Sequence, residues 1–353
     1  MDLQVEIVEL VNLQKTEIEL FLNSQPQTLL YTSYSYLKML EDFLSCEIIV
    51  LLAKSENKIV GYLPLAFRRN QEISICNSLP FYGSNGSMIV SLENADEIRR
   101  RLIDRFYDLI QQKNCGAYTL ISNPLDTEGD EWLKNNIRHN LLDERIGQIT
   151  HFPSHLENLE QNLLSSFEDP RPRNIRKAIK ENVKVYALNS KECIDFLYQT
   201  HYDNITAING IAKEKRFFDL IPKHFTNNDY KIYIAELNGE KIAALLLFYY
   251  NKTVEYFTPA VVEKYRNLQP TALLIYEAMI DACKLNYTNW NWGGTWLSQG
   301  GVYDFKKKWG TTDYKYFYYT NIIDNKLFYY KKEDLLDKFP YFFVLPFNKL
   351  KND

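Results

Sequence analysis

The chain has 353 residues, 46% hydrophobic and 24% charged, the profile of a globular protein long enough for two average domains. Its net charge of −4 opposes a role in coating nucleic acid, so DNA is not expected as a partner. No run approaches the roughly 20 apolar residues of a spanning helix, and the acidic opening MDLQVEIVEL lacks the features of a secretory leader, so the expected compartment is the cytoplasm. Cys46, Cys76, Cys115, Cys193 and Cys283 are odd in number and widely spaced. They read as buried free thiols in place of a disulfide framework or a zinc site. His151 and His155, the one histidine pair at ligand spacing, flank Pro153, which breaks the helix such ligation needs. No metal is expected.

In chain order, residues 47–67 read as two apolar strands around the polar turn Ser55-Glu56-Asn57-Lys58. A helix follows over 96–113, with Ile98, Leu102, Phe106, Leu109 and Ile110 on one face, and then a strand over 117–122. From 125 to 172 the chain is polar and mainly helical in pattern, punctuated by Asn123-Pro124 and Asp169-Pro170. Residues 173–180 form a basic helix, and 191–225 two more. A second hairpin over 231–250 turns at Asn238-Gly239. The helix 270–285 is apolar almost all round, and a strand over 288–292 runs into Gly293-Gly294. Hairpin, strand, helix, strand thus occurs twice. The pattern predicts an α/β (α+β) fold of two related domains, 1–150 and 151–353.

The segment 287–319 carries the chemistry. It holds four of the five tryptophans, the pairs Gly293-Gly294 and Gly300-Gly301, and the block Asp304-Phe305-Lys306-Lys307-Lys308-Trp309-Gly310. Lysines at successive positions point in different directions, so Lys306 is able to face a cleft while Lys307 and Lys308 meet water. The plain alternative is a solvated cationic helix. Arg173, Arg176, Lys177 and Lys180 make a basic stripe opposite Ile175 and Ile179, either a surface helix or a phosphate clamp. Tyr82, Ser84 and Asn85 lie in a stretch with Gly83 and Gly86, either a tight turn or a loop that admits a ligand. Trp290 reads as core, whereas Trp292 and Trp296 lie nearer the glycine loop and are candidates to line an acceptor pocket. No residue is singled out as general base: Asp304, Glu255 and Asp281 are candidates by proximity, and loss of the acceptor's proton to water or to substrate groups is the alternative. The aromatic tail FPYFFVLPFNKLKND from Phe339 either docks onto its own domain or makes a peripheral membrane contact.

Three of these places together resemble the Fem-type peptidyltransferases and the related GNAT-like acyltransferases. They are Leu79-Pro80-Phe81-Tyr82-Gly83-Ser84-Asn85-Gly86, the helix Arg173-Asn174-Ile175-Arg176-Lys177-Ala178-Ile179-Lys180, and Trp292-Gly293-Gly294 followed by Phe305-Lys306-x-x-Trp309-Gly310. The resemblance implies two tandem GNAT-like domains and an acyltransferase in which Lys306 stabilises the oxyanion and Phe305 walls the site. It further implies Tyr82, Ser84, Asn85, Arg176, Trp292 and Trp296 as substrate-binding residues. Where GNAT relatives hold the coenzyme A pyrophosphate on a Gly-rich loop, this chain has Tyr265-Arg266-Asn267-Leu268-Gln269-Pro270-Thr271. Arg266 is the candidate donor contact, and acyl-CoA the candidate donor. The implied acceptor is a sugar or nucleotide-sugar precursor of the cell envelope. Alternative donors are an acyl carrier protein or, in a Fem-type aminoacyl transferase extending a peptidoglycan precursor, charged tRNA. A binding or scaffold protein is the non-enzymatic alternative.

Overall fold

Positive φ angles mark both hairpin turns expected from the sequence: Glu56 and Asn57 at 51° and 63°, Asn238 and Gly239 at 50° and 82°. The structure, a computed structural model, describes residues 3–81 and 86–346. They fall into two units, Met1–Ile146 with Tyr314–Asp353, and Gly147–Asp313.

The first unit opens with β1 (Leu3–Glu9), α1 (Lys15–Asn23) and α2 (Tyr34–Leu44). The hairpin β2 (Glu47–Ser55) and β3 (Lys58–Arg69) is followed by β4 (Ser74–Asn77), the short β5 (Ile89–Val90), α3 (Ala95–Gln112), β6 (Cys115–Ile121), α4 (Thr127–Asn136) and β7 (Leu141–His151). Strands β1 to β4 pair antiparallel in sequence, and β4 pairs parallel to β6. Ile98, Leu102, Phe106 and Leu109 of α3 are buried against Leu51, Leu63, Leu65 and Leu120, as the 3.6-residue spacing requires.

The second unit takes the last residues of β7 and continues with α5 (Leu159–Ser166), α6 (Arg171–Lys180), β8 (Lys184–Ala187), α7 (Lys191–Thr206) and α8 (Lys215–His224). Next come β9 (Tyr230–Leu237), β10 (Glu240–Tyr250), β11 (Thr253–Val261), α9 (Pro270–Lys284), β12 (Asn289–Trp296) and α10 (Gly300–Lys307). Strands β8 to β11 pair antiparallel in sequence, and β11 pairs parallel to β12. Helix α9 buries Leu273, Leu274, Ile275, Ala278, Met279 and Ala282. Two units with one strand order, each of mixed parallel and antiparallel strands with helices, make the expected α/β class.

Several local expectations change. The stretch 125–172 contains β7, which escapes a hydropathy reading because Arg145, Gln148 and Thr150 are buried on it. Gly293 and Gly294 lie within β12, not in a loop after it. The buried face of α6 is Ile175 and Ala178, while Ile179 is exposed. Strand β13 (Thr311–Ile322) places Tyr318–Ile322 antiparallel to Ile121–Ala117 of β6. Residues 314–353, expected to close the second domain, therefore cluster with the first unit, together with α11 (Lys332–Lys338). The described residues beyond α11, 339–346, are held there too. Phe343 exchanges backbone bonds with the Asn77 side chain at 2.7 and 2.9 Å, and Tyr341 accepts from the Phe81 N–H at 2.8 Å. Phe339, Phe342, Val344 and Leu345 are buried, which uses the apolar patch inside the fold.

Candidate active site

The parallel ladder between β11 and β12 is short. Thr253, Val254 and Glu255 face Asn289, Trp290 and Asn291, and the two strands then continue without pairing each other. The parting coincides with a bend. Gly293 adopts φ of +72°, a conformation that side-chain-bearing residues disfavour, and its N–H donates to Asn291 Oδ1 at 2.9 Å. The Asn291 amide in turn donates to Oε2 of Glu255 at 2.9 Å, with Glu255 only 1% exposed.

Helix α10 delivers Lys306 to this bend. Its side chain is 7% exposed, and Nζ donates to Gly293 O at 3.3 Å, Gly294 O at 3.1 Å and Thr295 Oγ1 at 2.8 Å. Burial lowers the ammonium pKa from its usual range to about 8. No ion pair between Lys306 and a carboxylate is found among the described residues. Lys307 instead reaches Asp313 at 3.5 Å, a half-exposed pair, so the three-lysine run separates as its spacing predicts.

Aromatic rings wall the bend. Trp292, 2% exposed, stacks on Trp309 at 5.7 Å, meets Phe305 edge-on at 6.2 Å and Tyr256 at 4.8 Å, and donates from Nε1 to Thr150 Oγ1 at 2.9 Å. Trp290 is fully buried in the same cluster. Trp292 is thus core as well as wall, while Trp296 is half-buried at the end of β12. Gly310, at φ +68°, ends this segment against α5, where an added Cβ would lie 2.7 Å from the Ser166 carbonyl oxygen.

Sequence reasoning missed Arg171. At the first position of α6 its guanidinium lies 4.3 Å from the Phe305 ring and 5.4 Å from that of Trp309, and donates to the Phe305 carbonyl at 2.9 Å. Burial lowers its pKa. The Arg-Pro step, with proline in the first helical turn, was the available signal. Arg176, one turn on, is exposed, as are Arg173, Lys177 and Lys180. Arg266 lies in the 3₁₀ turn Glu263–Leu268 before α9, 57% exposed and paired with Glu263 at 2.6 Å. Tyr82, Ser84 and Asn85 fall outside the described residues. Of the candidate bases, Asp304 is exposed, Asp281 accepts from Tyr233 Oη at 3.0 Å, and Glu255 is the one at the bend.

Among the described residues no cluster of three His, Cys, Asp or Glu is placed to hold a metal, and no helix is long and apolar enough to cross a membrane. The five cysteines are buried and unpaired.

Comparison with known proteins bears on the fold. The model of the acetyltransferase (GNAT) domain matches residues 171–316, from the start of α6 into β13. Among solved structures, that of FemX superposes with a TM-score of 0.73 at 15% identity, covering 92% of this chain and 99% of that one. A tandem GNAT protein from the clavulanic acid biosynthesis pathway gives 0.53 at 9% identity, over 90% and 98%. L-PGS from Bacillus licheniformis gives 0.53 at 12% identity, over 89% and 92%. These likenesses concern the fold. No curated protein matches the sequence. Residues 171–316 match a GNAT-type acetyltransferase domain, and the chain as a whole is similar in fold to FemX and to a tandem GNAT protein.

Proposed function

We propose that the chain moves an acyl group, acetyl or longer, from a thioester donor to an amino or hydroxyl group on a cell-envelope sugar or polysaccharide precursor in the cytoplasm. One observation carries the reading: a buried ammonium, Lys306, sits where β11 and β12 part, beside an aromatic wall. Attack of the acceptor on the acyl carbon forms the new C–N or C–O bond and places negative charge on the carbonyl oxygen. Collapse then breaks the C–S bond and expels the thiolate, which takes up the proton lost by the acceptor. A fixed positive charge in a dry setting favours that intermediate. Phe305 excludes water from it, and Glu255 is the nearest candidate to receive the proton. Arg176 holds the acceptor, Trp292 and Trp296 line it, and Arg266 meets the donor's phosphates.

Calorimetry with acetyl-CoA and a medium-chain acyl-CoA tests the reading, with Arg266→Ala for comparison. Micromolar binding that weakens in the variant supports it. Absence of binding to either thioester moves the donor to an acyl carrier protein or to charged tRNA. The tRNA donor, with a peptidoglycan precursor as acceptor, is the second reading. It is favoured by the exposed stripe Arg173, Arg176, Lys177 and Lys180 on α6, and by the likeness to FemX over 92% of the chain.

A further inference from the structure

An ammonium has three N–H donors, and all three of Lys306 are engaged, on Gly293 O, Gly294 O and Thr295 Oγ1. A direct hydrogen bond to a reacting oxygen would first have to break one of these. The groups that receive them lie immediately past Asn291, the last residue of β12 paired with β11. The bend is gripped from its other side as well, since Gly293 N–H donates to Asn291 and Asn291 donates to Glu255 across the ladder. Because a peptide is planar and trans, fixing the carbonyls of Gly293 and Gly294 on Lys306 also turns the N–H groups of Gly294 and Thr295 away from it.

We infer that Lys306, Thr295, Asn291 and Glu255 form a latch that sets the bend in β12 and thereby the opening between β11 and β12. Lys306 is then a positioning residue that acts through the Gly293-Gly294 backbone instead of through a hydrogen bond of its own to the oxyanion. This rests on the acyl-transfer reading, and it adds Thr295, Asn291 and Glu255 as residues on which transfer depends.

The two roles for Lys306 predict opposite outcomes for Thr295→Val. If the ammonium bonds the oxyanion directly, removing the Thr295 hydroxyl frees a donor and leaves turnover intact or raised. The latch predicts a loss of about tenfold in kcat/KM with acetyl-CoA as donor, recovered in Thr295→Ser, which keeps the hydroxyl. It predicts a loss of about 10²–10³ for Lys306→Met, and less than about twofold further loss when Thr295→Val is added to that variant. Additive losses, or an active Thr295→Val enzyme, overturn the latch while leaving acyl transfer standing. If the wild-type protein transfers no acyl group from acetyl-CoA, a medium-chain acyl-CoA, an acylated carrier protein or charged tRNA, the acyl-transfer reading fails by itself. Hydrogen exchange then decides the latch. Faster exchange in 289–296 in both Lys306→Met and Thr295→Val supports it, and unchanged exchange there in Lys306→Met overturns it.

Discussion

The two units share a strand order, and they differ at the far end of the parallel pair. In the second unit β11 and β12 part after Glu255 and Asn291, and β12 bends at Gly293. In the first, β4 and β6 stay together through Asn77 and Thr119, and contact persists beyond the ladder. Ser78 N–H donates to the Thr119 carbonyl at 2.9 Å, and the Ser78 hydroxyl accepts from the Ile121 N–H at 3.0 Å. Asn77, at the very end of β4, is spent on Phe343 of the tail. One framework thus yields an open strand pair with a buried cation in one unit, and in the other a closed pair stitched by small polar side chains. A repeated fold supplies the scaffold, and a few residues at the strand ends decide whether it has a mouth.

The contrast breaks first at Lys306. Lys306→Met should lower kcat/KM by about 10²–10³ while the melting temperature stays within a few degrees of wild type. The reason is an approximate cancellation. Displacing the ammonium pKa from 10.5 to about 8 costs roughly 3 kcal/mol, which the variant regains. It leaves two carbonyls and the Thr295 hydroxyl without their donor, at about 1–3 kcal/mol for each that stays dry. A variant that unfolds at room temperature would make Lys306 a stability residue and erase the functional difference between the units.

A pH profile sharpens the same point. Since the latch requires the charged form, kcat/KM should fall as pH rises through about 8, and this limb should be missing in Lys306→Met. Stability runs in the opposite direction. A lysine whose folded pKa lies below its unfolded value is a cost that is fully present below pH 8. It is relieved between about 8 and 10.5, where the unfolded chain binds more protons. Thermal melts across that interval, compared with Lys306→Met, read this directly.

In the first unit, Asn77→Ala should destabilise by about 1–3 kcal/mol, because two backbone groups of Phe343 lose their partner. Chemical denaturation measures this, and acetyl-CoA titrations on the wild-type protein should give one donor site per chain. Two equivalent sites would mean that the first unit is open after all. The smallest effect is expected at Arg266→Ala. An exposed guanidinium already paired with Glu263 should change donor affinity by about tenfold or less.

Much of this was legible in the chain. The hairpin turns, the all-round apolar α9 and the one-sided α3 follow from local pattern, and their boundaries fall within a residue or two of those expected. Lys306 and Phe305 stood out through their block with Trp309 and Gly310. What stayed hidden depends on partners far away in sequence. Nothing local tells that Thr295 and Gly293 will receive Lys306, or that Asn291 will bridge to Glu255 36 residues earlier. Strand β7 hides because its inward positions are polar. Strand β13 was not read from the sequence, and nothing local tells that it will pair with β6. The basic helix drew attention to Arg176, yet Arg171, at the helix start, is the arginine that reaches the aromatic wall.

The return of β13 to the first unit carries a consequence for synthesis. The Thr119 and Thr320 hydroxyls meet at 2.8 Å across a separation of 201 residues. As the chain leaves the ribosome, β1 to β6 emerge long before the strand that will cover the outer edge of β6. That edge must wait, with its unpaired amides, while the entire second unit is made. The first half of this protein is therefore the last to be finished. Its completion should depend on the second half being built, because β13 pairs with β6 across about two hundred residues.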